Sequence, residues 1–210
     1  MFRIMKAYIW DLDGTLLDSY PVIVSSMIDA IKECGIDVPY EEVNRNVIEG
    51  STKYQISLIT EKYGEDFDKL KARYSEISGS RKGEIGLIQG SIEILKALKA
   101  RGDKNYVYTH RGVTTLPVLE RLGILEYFDE IVSSQNGFPR KPAPDAVNYL
   151  VEKYKLDPSE TFYVGDRTLD MDCAKNANIK GILFLPKDSY CTANGSEDYI
   201  VSDLLEIENI

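Results

Sequence analysis

The chain changes rhythm along its length. Lys6 to Trp10 is a short apolar run, rich in aromatic and β-branched residues, that stops at Asp11. Such a run predicts a buried strand. From about residue 20 to residue 89 the period becomes helical and no convincing strand is found. The segments YPVIVSSMIDAIKECG, YEEVNRNVIEG, TKYQISLITEKYG and EDFDKLKARYSEIS read as helices, several of them closed by glycine. In the first, Val24, Met27, Ile28 and Ile31 fall on one face. After LIQGS, strands and helices alternate. SIEILKALKARG reads as a helix with Ser91 as its N-cap, NYVYT as a strand ending at Thr109, and TTLPVLERLG as a helix. EIVSS (strand), PDAVNYLVEKYK (helix), TFYVGD (strand), LDMDCAKNAN (helix) and GILFL (strand) follow, and DYIVSDLLEI supplies a last short strand and a helical turn. This alternation predicts an α/β fold, a parallel sheet with helices on both faces. The helical block interrupts it and predicts an inserted all-helical cap. The expected division is a core of residues 1–17 and 89–210 and a cap of residues 18–88.

Polar residues gather where the strands stop. Asp11 and Asp13 follow the first strand, Thr109 the second, and Gly165 and Asp166 close the fourth. Ligands of open α/β sheets bind at these carboxyl ends. Asp166 and Asp170 stand four apart at a helix start and share a face, whereas Asp172 points elsewhere. Four carboxylates, Asp11, Asp13, Asp166 and Asp170, would repel one another unless a cation lay among them. Oxygen ligands favour a hard divalent ion, Mg²⁺ above all, and with it a substrate that carries phosphate. Thr109 adds a hydroxyl, with backbone N–H groups at the next helix start behind it. Lys141, in RKPAPD, adds a positive charge on a stretch stiffened by Pro142 and Pro144.

Composition narrows the partners. A net charge of −9 argues against nucleic acid or an anionic membrane, since both require a basic face. The expected partner is a small phosphorylated metabolite, held by local groups against the overall field. Cys34, Cys173 and Cys191 are odd in number and widely spaced, which fits a reduced cytoplasmic protein rather than a disulfide scaffold. The apolar stretch before Asp11 is too short for a signal peptide or a membrane span. A monomer is the simplest expectation, with a dimer as the alternative. The 14 tyrosines read as packing residues rather than functional ones.

DLDGT at Asp11, the strand-end Thr109, Lys141 in KPAPD, and GDRTLD at Asp166 together resemble the four motifs of the haloacid dehalogenase-like (HAD) superfamily, in its order. The helical insertion after the first motif resembles its phosphoglycolate phosphatase and β-phosphoglucomutase branch. The resemblance covers essentially the whole chain and implies a Rossmann-like core. It further implies that Asp11 is the nucleophile that forms an aspartyl-phosphate, and that Asp13 protonates the leaving oxygen and then deprotonates water. Mg²⁺ would be held by Asp11, the Asp13 carbonyl and Asp166, with Asp170 acting through a water. Thr109 would bond a phosphoryl oxygen, and Lys141 would neutralise charge in transfer. Gly14 would let the chain turn so that backbone N–H groups face the phosphate.

Three further residues stay open between a functional and a structural reading. His110, the only histidine, stands where many family members have asparagine, and is expected to shape the pocket rather than do chemistry. Arg111 either contacts a second anionic group or is a solvated charge. Lys53, in EGSTKY, resembles part of the family's specificity loop and either reaches substrate on cap closure or stays on an exposed helix face. The resemblance disfavours a dehalogenase, which lacks the second acid present here as Asp13, and a phosphonatase, which needs a cap lysine as Schiff base. In a mutase of this branch a histidine would stand twelve residues after the nucleophile, where this chain has Ile23. The expected activity is a Mg²⁺-dependent phosphatase of small phosphate monoesters of phosphoglycolate, sugar phosphate or nucleotide type. A phosphomutase and a non-catalytic phosphate-binding regulator on the same fold are the alternatives.

Overall fold

The computed structural model describes residues 4–187 and 189–210. The chain divides into two compact units, one of residues 1–17 and 87–210 and one of residues 18–86. The strands are β1 (Ala7–Trp10), β2 (Leu17–Asp18), β3 (Gly86–Leu87), β4 (Lys104–Tyr108), β5 (Glu130–Val132), β6 (Thr161–Gly165), β7 (Lys180–Phe184) and β8 (Tyr199–Val201). The helices are α1 (Tyr20–Lys32), α2 (Tyr40–Glu49), α3 (Thr52–Tyr63), α4 (Phe67–Ser80), α5 (Ser91–Ala100), α6 (Thr115–Arg121), α7 (Asp145–Tyr154) and α8 (Thr168–Asn176).

Six strands form one sheet in the order β5-β4-β1-β6-β7-β8, and the paired strands run parallel. The first strand in the chain therefore lies inside the sheet. Its four residues AYIW are all buried, as a strand covered on both faces requires. Side chains alternate across the sheet. Ile9, Tyr106, Tyr108, Tyr163 and Leu183 share one core with Ala146, Val147 and Leu150 of α7 and Met171 and Ala174 of α8. The alternate residues Tyr8, Trp10, Val107, Phe162 and Val164 are buried on the other face. There the indole N–H of Trp10 donates to Asn105 Oδ1 at 2.9 Å.

The register sets where function can sit. Trp10 lies opposite both Val107 and Val164. Asp11, one residue on, donates its N–H to the carbonyl of Val164 at 2.8 Å, and Thr109 donates to Val132 at 3.0 Å. Asp11, Thr109 and Asp166 thus leave the sheet along one edge.

The second unit is a helical assembly of α1 to α4 with its own core. Val24, Met27 and Ile31 of α1 pack with Val43 and Val47 of α2, Ile56 and Ile59 of α3, and Leu70 and Ile77 of α4. Helical spacing of apolar residues drives this burial. Caps fix the boundaries. Ser51 accepts from the Tyr54 N–H at the start of α3, and Asp66 accepts from Lys69 at the start of α4.

Two local expectations change. The Gly86–Leu87 strand pairs with Leu17–Asp18 in a two-stranded ribbon, within a stretch that reads as strand-free. Two residues are too short to give a period. Ser91 is not the N-cap of α5, since Gly90 holds that position. The Ser91 hydroxyl instead donates to the Leu16 carbonyl at 3.1 Å.

Gly165 ends β6 against α8. A Cβ there would lie 2.4 Å from Cβ of Asp170, closer than packed atoms allow. Gly165→Ala should therefore destabilise the protein by about 1–3 kcal/mol. Gly79, exposed on α4 with nothing within 4 Å of a Cβ there, is the control. Gly79→Ala should match the wild type or gain up to about 1 kcal/mol. Thermal melts of both variants check this, and a Gly165→Ala protein as stable as wild type would contradict the packing.

Candidate active site

The site is built on Lys141. Its side chain is fully buried, and its ammonium lies 2.9 Å from Asp11 Oδ1 and 2.7 Å from Asp170 Oδ1. The rings of Tyr108 and Tyr163 lie 5.4 and 5.3 Å from the same nitrogen, within cation–π range. The segment that carries Lys141 is pinned on several sides. Tyr108 donates its hydroxyl to the Pro139 carbonyl, Cys173 its thiol to Ala143, and Asn176 its amide to Pro142. His110 Nε2 accepts the backbone N–H of Lys141 at 2.9 Å. Burial alone would lower the lysine's pKa, but the charges of Asp11 and Asp170 outweigh it and hold the ammonium charged.

Three carboxylates meet here. Oxygens of Asp11, Asp166 and Asp170 lie within 4.8 Å of one another, and all three residues are buried. Asp170 sits in the first turn of α8, and its other oxygen accepts from the Arg167 N–H at 3.2 Å. Burial pushes Asp170 upward, and Lys141 pulls it down. Thr15 donates its hydroxyl to Asp166 Oδ1 at 3.1 Å and so orients that carboxylate. Lys141 and the nearby charge of Arg167 face three carboxylates. The donors are all oxygen, which is the ligand set of a hard divalent cation, so the residues fit Mg²⁺.

The first loop folds back on itself. The Thr15, Leu16 and Leu17 N–H groups donate to the Leu12 carbonyl, and the Gly14 N–H donates to Leu17. Gly14 has φ +84°, a left-handed conformation that favours glycine. The turn expected at Gly14 is present. Its own amide closes on the Leu17 carbonyl inside the loop.

Thr109 is buried, and its hydroxyl oxygen accepts the Arg111 N–H at 3.2 Å. Arg111 is not a solvated charge. Its guanidinium pairs with the Asp13 carboxylate, with Nη2 at 2.5 Å from Oδ1. His110 is held near neutral, its pKa lowered to about 3 by burial first and then by Lys141, Arg140 and Arg167. An imidazole that accepts a backbone hydrogen bond is a structural acceptor. Lys53 lies exposed at the start of α3, in the helical unit.

Three contributors escape the sequence reading. Thr15 stands inside the DLDGT motif, and its place next to the acids is the one signal that pointed to it. Tyr108 and Tyr163 read as packing, and only the strand pairing brings both rings to the lysine.

Residues 8–184 match the family model described as haloacid dehalogenase-like hydrolase. The chain belongs to that family. It is 29% identical to a phosphoglycolate phosphatase of Vibrio parahaemolyticus, over 97% of this chain and 94% of the relative. It is 27% identical to the pyrophosphatase PpaX of Bacillus velezensis, over 98% and 97%. Among solved structures it is similar to a predicted phosphoglycolate phosphatase from Haemophilus somnus, with TM-score 0.84, 25% identity and coverage of 98% and 97%. The family and its named relatives support an enzyme of phosphatase type. Among the described residues no helix is long and apolar enough to cross a membrane.

The histidine gives a pH prediction. His110 is neutral in the fold, and its unfolded value is about 6.5. Between about pH 6.5 and its folded value of about 3, the unfolded chain binds the extra proton. Stability should therefore fall as pH drops through this window. His110→Asn should lose less stability than the wild type between pH 7 and pH 5 in denaturant titrations. Parallel loss in both proteins would contradict the assignment.

Proposed function

We propose that this chain is a Mg²⁺-dependent phosphatase that hydrolyses small-molecule phosphate monoesters through an aspartyl-phosphate on Asp11. The observation that carries the reading is the Lys141 ammonium shared by Asp11 and Asp170 beside a third buried carboxylate. Lys141 keeps Asp11 oriented and neutralises the dianionic group it meets. Asp11 attacks phosphorus, and the ester oxygen leaves with a proton from Asp13. Water then attacks phosphorus and gives its proton to Asp13, which frees Asp11 and releases phosphate. The Thr109 hydroxyl bonds a phosphoryl oxygen. Asp11, Asp166 and Asp170, with the Asp13 carbonyl, would hold Mg²⁺, and Thr15 keeps Asp166 aimed. The ion supplies charge neutralisation for the transferring group.

The phosphatase reading is favoured over the mutase by Ile23, which packs against the core of the helical unit where a mutase would carry histidine. The helical unit is the natural place for substrate choice, with Lys53 as its candidate contact. The names of the relatives put phosphoglycolate first among candidate monoesters, with sugar phosphates and nucleoside monophosphates behind it, and add pyrophosphate, a phosphoanhydride, as a compound to compare. A cytoplasmic setting suits the three free cysteines.

The test is phosphate release from those compounds with Mg²⁺ and with chelator. Release should require Mg²⁺, and Asp11→Asn should lower it by at least about 10³-fold. Undiminished release by Asp11→Asn, or none from any compound with Mg²⁺ supplied, would overturn the reading.

A further inference from the structure

Arg111 links two parts of the site that lie far apart in sequence. Its backbone N–H donates to the Thr109 hydroxyl oxygen at 3.2 Å. Its guanidinium reaches Asp13 with Nη2 at 2.5 Å and Nε at 3.2 Å from Oδ1, and Nε at 3.3 Å from Oδ2. Nη1 donates to Thr114 Oγ1 at 3.2 Å, which braces the fork from behind. The Arg111 side chain is only 10% exposed, and that of Asp13 is 26%. A planar guanidinium held at both ends fixes the plane of the carboxylate it grips, which a lysine could not do.

The two Asp13 oxygens are not held alike. Oδ1 takes the two shorter contacts, and Oδ2 takes one longer contact from a nitrogen already engaged with Oδ1. We infer that Arg111 is a positioning residue for proton transfer. It anchors Asp13 through Oδ1 and leaves Oδ2 as the oxygen that carries the proton to the leaving group and takes it from water. The Thr109 contact registers the same residue to the threonine proposed to bind phosphate, so proton donor and phosphoryl group keep a fixed relation. This inference rests on the assignment of Asp13 as acid and base. A proton donor free to rotate loses the alignment on which such transfer depends.

Leaving groups separate this role from a general structural one. An alkoxide needs a proton to depart, whereas p-nitrophenolate departs as an anion. The experiment compares kcat and KM for p-nitrophenyl phosphate and for an alkyl phosphate ester in wild type, Arg111→Ala, Arg111→Lys and Asp13→Asn. Circular dichroism checks the fold of each. Arg111→Ala should lose at least about tenfold more kcat/KM, which reports the steps through phosphoryl transfer to Asp11, on the alkyl ester than on p-nitrophenyl phosphate, and the losses and ratios below are read in the same quantity. Asp13→Asn should show the same bias more strongly, up to about 10²-fold or more. Arg111→Lys should fall between wild type and Arg111→Ala, and added guanidinium ion should restore part of the alkyl rate to Arg111→Ala. Equal loss on both esters, or no loss, overturns the inference. A loss confined to KM for esters with a second anionic group overturns it in favour of a substrate-binding arginine. Asp13→Asn without leaving-group bias would instead remove the acid–base assignment, and the inference with it. Should Arg111→Ala fail to fold, Arg111→Lys decides by the same ratio.

Discussion

A buried ammonium held by two carboxylates is the constraint around which this protein is arranged. Removing Lys141, Asp11 and Asp170 from water costs several kcal/mol per charge, and their mutual attraction offsets that only when the geometry is tight. The fold supplies the geometry. Tyr108 and Tyr163 place their rings near the ammonium, and Tyr163 donates its hydroxyl to the Tyr108 carbonyl. Cys173 and Asn176 of α8 fasten the lysine's own segment. His110 fastens its backbone and, held neutral, adds no further positive charge beside Lys141, Arg140 and Arg167. Core packing and site assembly are therefore one structure on this side of the sheet.

The same constraint explains the excess of acid. Asp166 adds a third buried carboxylate beside the two that Lys141 touches. A core would not tolerate this set for stability alone. Its three oxygen-donor carboxylates are the kind of set that could hold a divalent cation.

Much of this was legible because the chemistry demands particular residue types at strand ends. Asp11, Asp166, Asp170 and Lys141 stand where alternating strands and helices place them, and the parallel order of β4, β1 and β6 brings them to one edge. What stayed hidden is where donors and acceptors are spent. A sequence shows that Gly14 can turn, not that its amide closes on Leu17. It shows a serine before α5, not that the hydroxyl serves Leu16 while Gly90 takes the cap. It shows Arg111 beside Thr109, not that its fork reaches back 98 positions to Asp13. Tyr108 and Tyr163 look like packing because a ring beside a lysine and a ring in a core obey the same alternation. Such pairings are set by tertiary register, which local patterns do not encode.

The two units divide the labour in composition as well. The α/β unit carries the carboxylates, the lysine and the threonine, while the helical unit presents helices with exposed polar faces and its own apolar core. The central claim is that Asp11 becomes phosphorylated. Rapid acid quench of the wild-type enzyme turning over a radiophosphate-labelled ester, followed by peptide mapping, tests it most directly. The account predicts a base-labile acyl phosphate on the peptide that contains Asp11. Label on any other residue, or turnover with no protein-bound phosphate at any quench time, would contradict it.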